Sequence, residues 1–414
     1  MKKISAIILL FVFYSLTACG QNEKSERVIF GDENLVANYL NLLAGKRVGI
    51  VANQSAVLPD GIHIVDTLLN SGINITSVFA PEHSFRGTKP AGKNFKNFID
   101  LSTGIPVYSL YSKNRKPTRK MLQNVDVVLF DLQDVGARFY TYISTLFYVM
   151  QACSENDKPL IVLDRPNPLS GIMVDGPVLR EKYKSFVGIV PLPVLHGMTV
   201  GEIAKLFSGE NYISVKNKID LTTIEIKNWK RNQLWSDYRN RWIPTSPNIP
   251  DFETAMVYPG TCFLEGTNIS EGRGTEHPFL TIGAPFLNTK ELIKMLNGFT
   301  IEGVRINPVK FTPKKIPGKS LNPKYEGIEC SGIRISVTDK SKFKPVEFGV
   351  YLLYSIINIH KNKFIFKENY FDKLAGSNQL RKGLLEGKNP SQIIKGWKNE
   401  LEKFKLIRNK YLLY

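Results

Sequence analysis

The chain has 414 residues, enough for two ordinary domains with sizeable cores. Hydrophobic residues make up 43% and charged residues 22%, a balance typical of folded soluble proteins that excludes wholesale disorder. Lysine and arginine outnumber the acids 55 to 37, and the net charge of +18 suits a polyanionic partner: nucleic acid, anionic lipid or an acidic polymer.

In chain order, Lys2 and Lys3 precede an apolar stretch over 4–14 that is too short for a permanent membrane span. Leu16-Thr17-Ala18-Cys19 follows and resembles the lipobox of bacterial lipoproteins. That resemblance implies a signal peptide over 1–18, removed as Cys19 is lipidated; an ordinary secretory signal is the alternative. Several acyl chains, at about 0.8 kcal/mol per buried CH₂, anchor stably where one does not. Residues 19–34 then read as a lipidated tether. Gly20 is not the acidic residue that retains lipoproteins at the inner membrane, so the expected location is the periplasmic face of the outer membrane. Export argues against nucleic acid as a partner. The four cysteines (Cys19, Cys153, Cys262 and Cys330) are too few and too scattered for a disulfide framework or zinc module. The last three are expected as buried thiols.

From residue 46 onward, short apolar runs alternate with helical patterns. Residues 47–52, 73–80, 125–132 and 159–164 read as buried parallel strands, and 62–71, 118–124 and 140–155 as helices. This predicts an α/β, Rossmann-like doubly wound parallel sheet over 35–245. Residues 229–242 are rich in Trp, Arg and Asn, and 243–250 contain Pro244, Pro247 and Pro250, the signature of a linker or long loop. The remainder, 246–414, reads as a smaller α+β domain that closes the active-site cleft. Its predicted helices lie at 289–297, 345–360 and 391–410, and its strands near 303–311 and 333–338.

Three segments carry residues suited to chemistry. Glu82-His83-Ser84-Phe85-Arg86-Gly87 follows a predicted strand, where open α/β sheets bind ligands. A carboxylate, an imidazole and a guanidinium can converge there for acid/base work, or Glu82 and Arg86 simply pair. The second segment runs from Asp131 to Tyr142. In it Arg138 is a natural fork for a substrate carboxylate, and Tyr140 and Tyr142 offer sugar faces or hydroxyls. Alternatively Asp134 caps a helix with Arg138 as its partner. The third, Glu265 to His277, combines glycines with Glu265, Glu271 and Glu276; a flexible surface loop is its plain alternative. Asp164-Arg165-Pro166-Asn167 stands at one more strand end.

Other chemistries lack their signatures. No G-x-G-x-x-G follows the first strand, and no G-K-[ST] or G-x-S-x-G occurs. The five histidines (His63, His83, His196, His277 and His360) have no metal-ligand spacing. The basic-aromatic stretch over 229–242 fits sugar stacking or loop packing better than nucleic acid.

Taken together, E-H-S-F-R-G, D-L-Q-D-V-G-A-R-F-Y-T-Y, D-R-P-N-P and E-G-T-N-I-S-E-G-R-G-T resemble the NamZ-type exo-β-N-acetylmuramidase family across residues 35–414. The resemblance implies a glycoside hydrolase that frees N-acetylmuramic acid from the non-reducing end of peptidoglycan fragments, without cofactor or metal. Carried over by motif, Glu82 is the leading catalytic carboxylate and Glu265 the second. His83, Arg86, Asp131, Arg138, Tyr140, Tyr142, Asp164, Arg165, Asn167, Asn268 and Arg273 are the expected substrate-binding residues. The lactyl carboxylate of muramic acid accounts for a cleft holding Arg86, Arg138, Arg165 and Arg273. The competing class is a non-catalytic lipoprotein that binds wall sugars or muropeptides.

Overall fold

A computed structural model describes residues 27–87, 94–111, 114–213, 218–238 and 240–414; the leader and Cys19 lie outside them. The four apolar runs form the middle of a seven-stranded sheet. In chain order its strands are β1 (Arg47–Ala52), β2 (Asn74–Ala80), β3 (Phe98–Ile99), β4 (Pro106–Ser109), β5 (Val127–Asp131), β6 (Leu160–Leu163) and β7 (Leu221–Ile224). Their spatial order is β3-β4-β2-β1-β5-β6-β7, and only β3 runs antiparallel to its neighbour.

Alternation along the central strands separates two apolar faces. Val48, Ile50, Val127, Leu129 and Ile161 join one core with Leu35 of helix α1 (Gly31–Asn38) and Ile64, Val65 and Leu68 of α2 (Ile64–Asn70). Val51, Val128, Phe130, Leu160 and Val162 face the opposite way, toward α3 (Tyr142–Glu155) and α4 (Val200–Gly209). Strands buried on both faces are what a doubly wound sheet requires. The chain builds outward from β1 to β4, then returns to build from β5 to β7. The switch point between β1 and β5 therefore opens a crevice at the strands' carboxyl ends.

The second unit begins with α5 (Phe252–Thr261), capped by Asp251 accepting from the Thr254 amide. A three-stranded antiparallel sheet of β8 (Thr281–Ala284), β9 (Val304–Phe311) and β10 (Cys330–Val337) runs in the order β8-β10-β9. Helices α6 (Thr289–Leu296), α7 (Pro345–Ile359), α8 (Glu368–Ala375), α9 (Gln379–Leu385), α10 (Pro390–Lys395) and α11 (Lys398–Arg408) complete it. Helices α5 and α7 meet at Gly260 and Gly349, where a Cβ on Gly260 would lie 2.0 Å from the Pro345 carbonyl oxygen. The chain end returns to the first unit: the Tyr414 hydroxyl donates to Asp164 at 2.7 Å and accepts from the Ile226 amide. One hydrophobic cluster runs from the sheet through α5 and α7.

Several sequence expectations change. Residues 118–124 form a turn, not a helix, in which the Leu122 amide bonds the Thr118 and Arg119 carbonyls. The helix expected over 391–410 is broken into α10 and α11 at Gly396 and Trp397. The tether does not extend to residue 34. Ile29 bridges to Lys227, Phe30 is buried, and α1 packs against β6 and β7. Strands β3, β4, β7 and β8 were not anticipated: β3 has two residues, and β4, β7 and β8 have four each.

Candidate active site

Strand β2 delivers Glu82 to the crevice through Pro81. His83 and Ser84 both take left-handed backbone conformations, with φ of 74° and 69°. Two consecutive non-glycine residues there are uncommon and strained, a feature that concentrates at functional sites. Glu82 is half-buried, and the Thr141 hydroxyl donates to its Oε2 at 3.2 Å. The Tyr111 hydroxyl, just past β4, also hydrogen-bonds it. Behind Thr141 the Tyr142 hydroxyl donates to the Thr245 carbonyl at 2.8 Å, and the Tyr140 ring meets the Tyr142 ring edge-on at 4.8 Å. Burial, then the neighbouring tyrosine and the Glu82 carboxylate, holds the Tyr142 phenol above its usual range.

The opposite wall comes from the second unit. Glu265 sits in a 3₁₀ turn, Cys262–Gly266, that continues α5. It accepts from Arg273 Nη2 at 2.8 Å and from the Tyr370 hydroxyl of α8 at 2.9 Å. Arg273 also reaches Glu271, at 3.4 Å, and its guanidinium lies 5.1 Å over the Phe279 ring. Lys324 bonds Glu271 at 2.9 Å and the carbonyls of Leu264 and Ile269. Against the opposing effect of burial, Lys324 and Arg273 hold the Glu271 carboxyl below its usual range. Gly272, at φ 78°, lets this loop run against β8, where a Cβ would stand 2.1 Å from the Thr281 carbonyl.

Burial pushes the Tyr111 phenol up, Glu82 pushes it further, Arg115 opposes them, and Glu265 adds the smallest push. Each of the two turns thus carries an acid able to exchange protons with a bound ligand.

Other predicted site residues are placed elsewhere. Arg86 pairs with Asp66 and Asp100, each at 3.1 Å, and lies on the Phe85 ring. Arg138 is 1% exposed and donates to the carbonyls of Pro177, Leu192 and Leu374, which pins α8 to the first unit. Burial lowers its pKa to about 9. Arg165 is 2% exposed and clamped between Asp131 at 2.5 Å and Asp32 at 2.7 Å. Burial pushes Asp32 up to about 7 against the pull of Arg165. Asp164 is enclosed by Thr199, the Gly201 amide and Tyr414. Asn167 forms a turn with the Leu169 amide and bonds the Met198 carbonyl, and Asn268 bonds the Lys363 carbonyl and the Ile365 amide. These polar groups hold the backbone or pair with one another; their charges and amides are already occupied. His83 is buried in the Glu82 turn, with 3% exposure. His196 is a buried imidazole whose pKa burial pushes down to about 3, its Nδ1 accepting from the Met198 amide. Cys153, Cys262 and Cys330 are buried free thiols.

Tyr111, Tyr370 and Lys324 escaped the sequence reading. Tyr111 follows the unrecognised β4, and the other two lie outside every motif. Beside the Arg165 clamp a separate cavity of about 500 Å³ is lined by Phe30, Gln133, Trp235 and Arg241, among others. No group of three metal-ligating side chains occurs among the described residues.

Comparison with known proteins shows the family. The family model described as exo-beta-N-acetylmuramidase NamZ, N-terminal, matches residues 48–253, and its C-terminal counterpart matches 256–414. The chain is 42% identical to the peptidoglycan beta-N-acetylmuramidase NamZ of Bacillus subtilis, over 98% of this chain and 97% of that protein. Crystal structures of two DUF1343 family proteins from Bacteroides fragilis superpose with TM-scores of 0.84 and 0.76. They are 32% and 36% identical, and each comparison covers 94% of this chain and 99% of the other.

Proposed function

We propose that this chain, which belongs to the exo-beta-N-acetylmuramidase NamZ family, removes N-acetylmuramic acid from the non-reducing end of peptidoglycan fragments. The observation that carries the chemistry is a pair of half-buried carboxylates held in turns after β2 and α5: Glu82 by the Thr141 hydroxyl, and Glu265 by Arg273 and Tyr370. Glycosidases typically need a proton donor for the leaving oxygen and a second carboxylate on the other side of the sugar. We assign the donor to Glu82, whose partners Thr141 and Tyr111 are neutral hydroxyls able to orient it. Glu265, ion-paired to Arg273, is the second carboxylate. As the bond from C1 to the leaving oxygen breaks, that oxygen takes the Glu82 proton. Water then supplies the new C1 hydroxyl, either deprotonated by Glu265 or acting on a glycosyl ester of Glu265, and the enzyme recovers its proton.

The test is hydrolysis of a chromogenic β-N-acetylmuramide beside the matching β-N-acetylglucosaminide, which lacks the lactyl group. The muramide is expected to be cleaved and the glucosaminide not. Equal turnover of both sugars, or of neither, would contradict the assignment. We further propose that the protein is a lipoprotein anchored through Cys19 on the periplasmic face of the outer membrane, beside its substrate. The support is the Leu16-Thr17-Ala18-Cys19 sequence behind a short apolar leader. Cys19→Ser is expected to abolish palmitate labelling and leave the precursor uncleaved; normal labelling of that variant would exclude the anchor.

A further inference from the structure

If muramic acid is the substrate, its lactyl carboxylate needs a cationic partner, and the four motif arginines are occupied. Arg86 faces Asp66 and Asp100, Arg165 faces Asp131 and Asp32, and Arg273 faces Glu265 and Glu271. Arg138 is buried on three carbonyls. We infer that Arg115, stacked on Phe186 beside Tyr111, is the side chain that reads the lactyl carboxylate. The inference rests on the muramidase reading above and names its specificity residue.

Three observations support it. The Arg115 guanidinium lies 4.3 Å over the Phe186 ring, and that ring stands 5.9 Å from Tyr111, the hydroxyl that bonds Glu82. Two aromatic rings, Phe186 and Tyr111, therefore link Arg115 to the catalytic carboxylate. Its charge also acts on the Tyr111 phenol, opposing Glu82. Finally, the local carboxylate Glu155 is taken by Lys116 at 2.7 Å, and Arg115 has no carboxylate partner among the described residues. A guanidinium laid flat on a ring keeps its N–H edge for a planar, two-pronged anion such as a carboxylate. Tyr148, its ring stacked near-parallel to Phe186 at 6.2 Å, steadies Phe186. An exposed arginine held this way keeps its hydration until the sugar arrives, which suits a reader of substrate charge.

The experiment compares the purified wild-type protein with Arg115→Gln and Arg115→Lys on three chromogenic sugars: the β-N-acetylmuramide, its lactyl methyl ester and the β-N-acetylglucosaminide. Wild type should prefer the free acid over the ester. Arg115→Gln should lose about 10- to 100-fold in kcat/KM on the acid, chiefly through KM, with ester turnover unchanged. Arg115→Lys should recover part of the loss. Wild-type activity with undiminished acid-over-ester preference in Arg115→Gln overturns this inference alone. A wild type that cleaves none of the sugars contradicts the muramidase reading and the inference with it.

Discussion

Glu82→Gln is expected to fold normally, to keep muramide binding, and to lose at least about two orders of magnitude in kcat. Glutamine is isosteric and still accepts the hydrogen bond from Thr141, so the strained His83-Ser84 turn has no reason to relax. It carries no acidic proton, however, and removal of a general acid typically costs 10²–10⁴-fold in rate, whereas removal of a binding contact mostly raises KM. The pattern to look for is thus a low kcat with near-normal KM and an unchanged melting temperature. Near-wild-type kcat would remove Glu82 from the chemistry. A large drop in melting temperature would make it a structural residue.

The second large effect concerns stability. Arg165→Met should destabilise the protein by about 3–5 kcal/mol, because it leaves Asp131 and Asp32 buried without their cation. The loss should depend on pH, with a definite sign. The folded-state pKa of Asp32 is already raised above its unfolded value by burial, so its protonated form favours folding at low pH. That contribution is lost as pH rises through about 7. Without Arg165 the Asp32 carboxyl loses the cation that opposes this rise. Urea denaturation should therefore show a smaller loss at pH 5 than at pH 8. Equal loss at both values, or none, would contradict the clamp as drawn.

Much of the sheet was legible because β1, β5 and β6 are buried on both faces and read as unbroken apolar runs. Glu82 was singled out at the end of a predicted strand and Glu265 only by its motif, since helix α5 before it was not anticipated. What the sequence could not show was the direction of each polar side chain. Arg138 and Arg165 sit in motifs at strand ends, as ligand-binding arginines do, yet both turn inward to bind carbonyls or aspartates. Motif membership marks a residue the fold depends on and does not distinguish a clamp for the backbone from a clamp for a ligand. Arg115 had the opposite problem: it lies in the basic run Lys113-Asn114-Arg115-Lys116 and reads as a solvated surface. Only the Phe186 ring, seventy-one positions later, gives it a fixed place.

The central claim is that the sugar lies between the Glu82 turn and the Glu265 turn. A crystal structure of Glu82→Gln soaked with a muramyl disaccharide tests it directly. The glycosidic oxygen is expected within hydrogen-bond reach, about 3 Å, of the residue 82 side chain, with Glu265 across the ring from it. A disaccharide seated instead in the cavity between Phe30 and Trp235, with Glu82 bare, would contradict it.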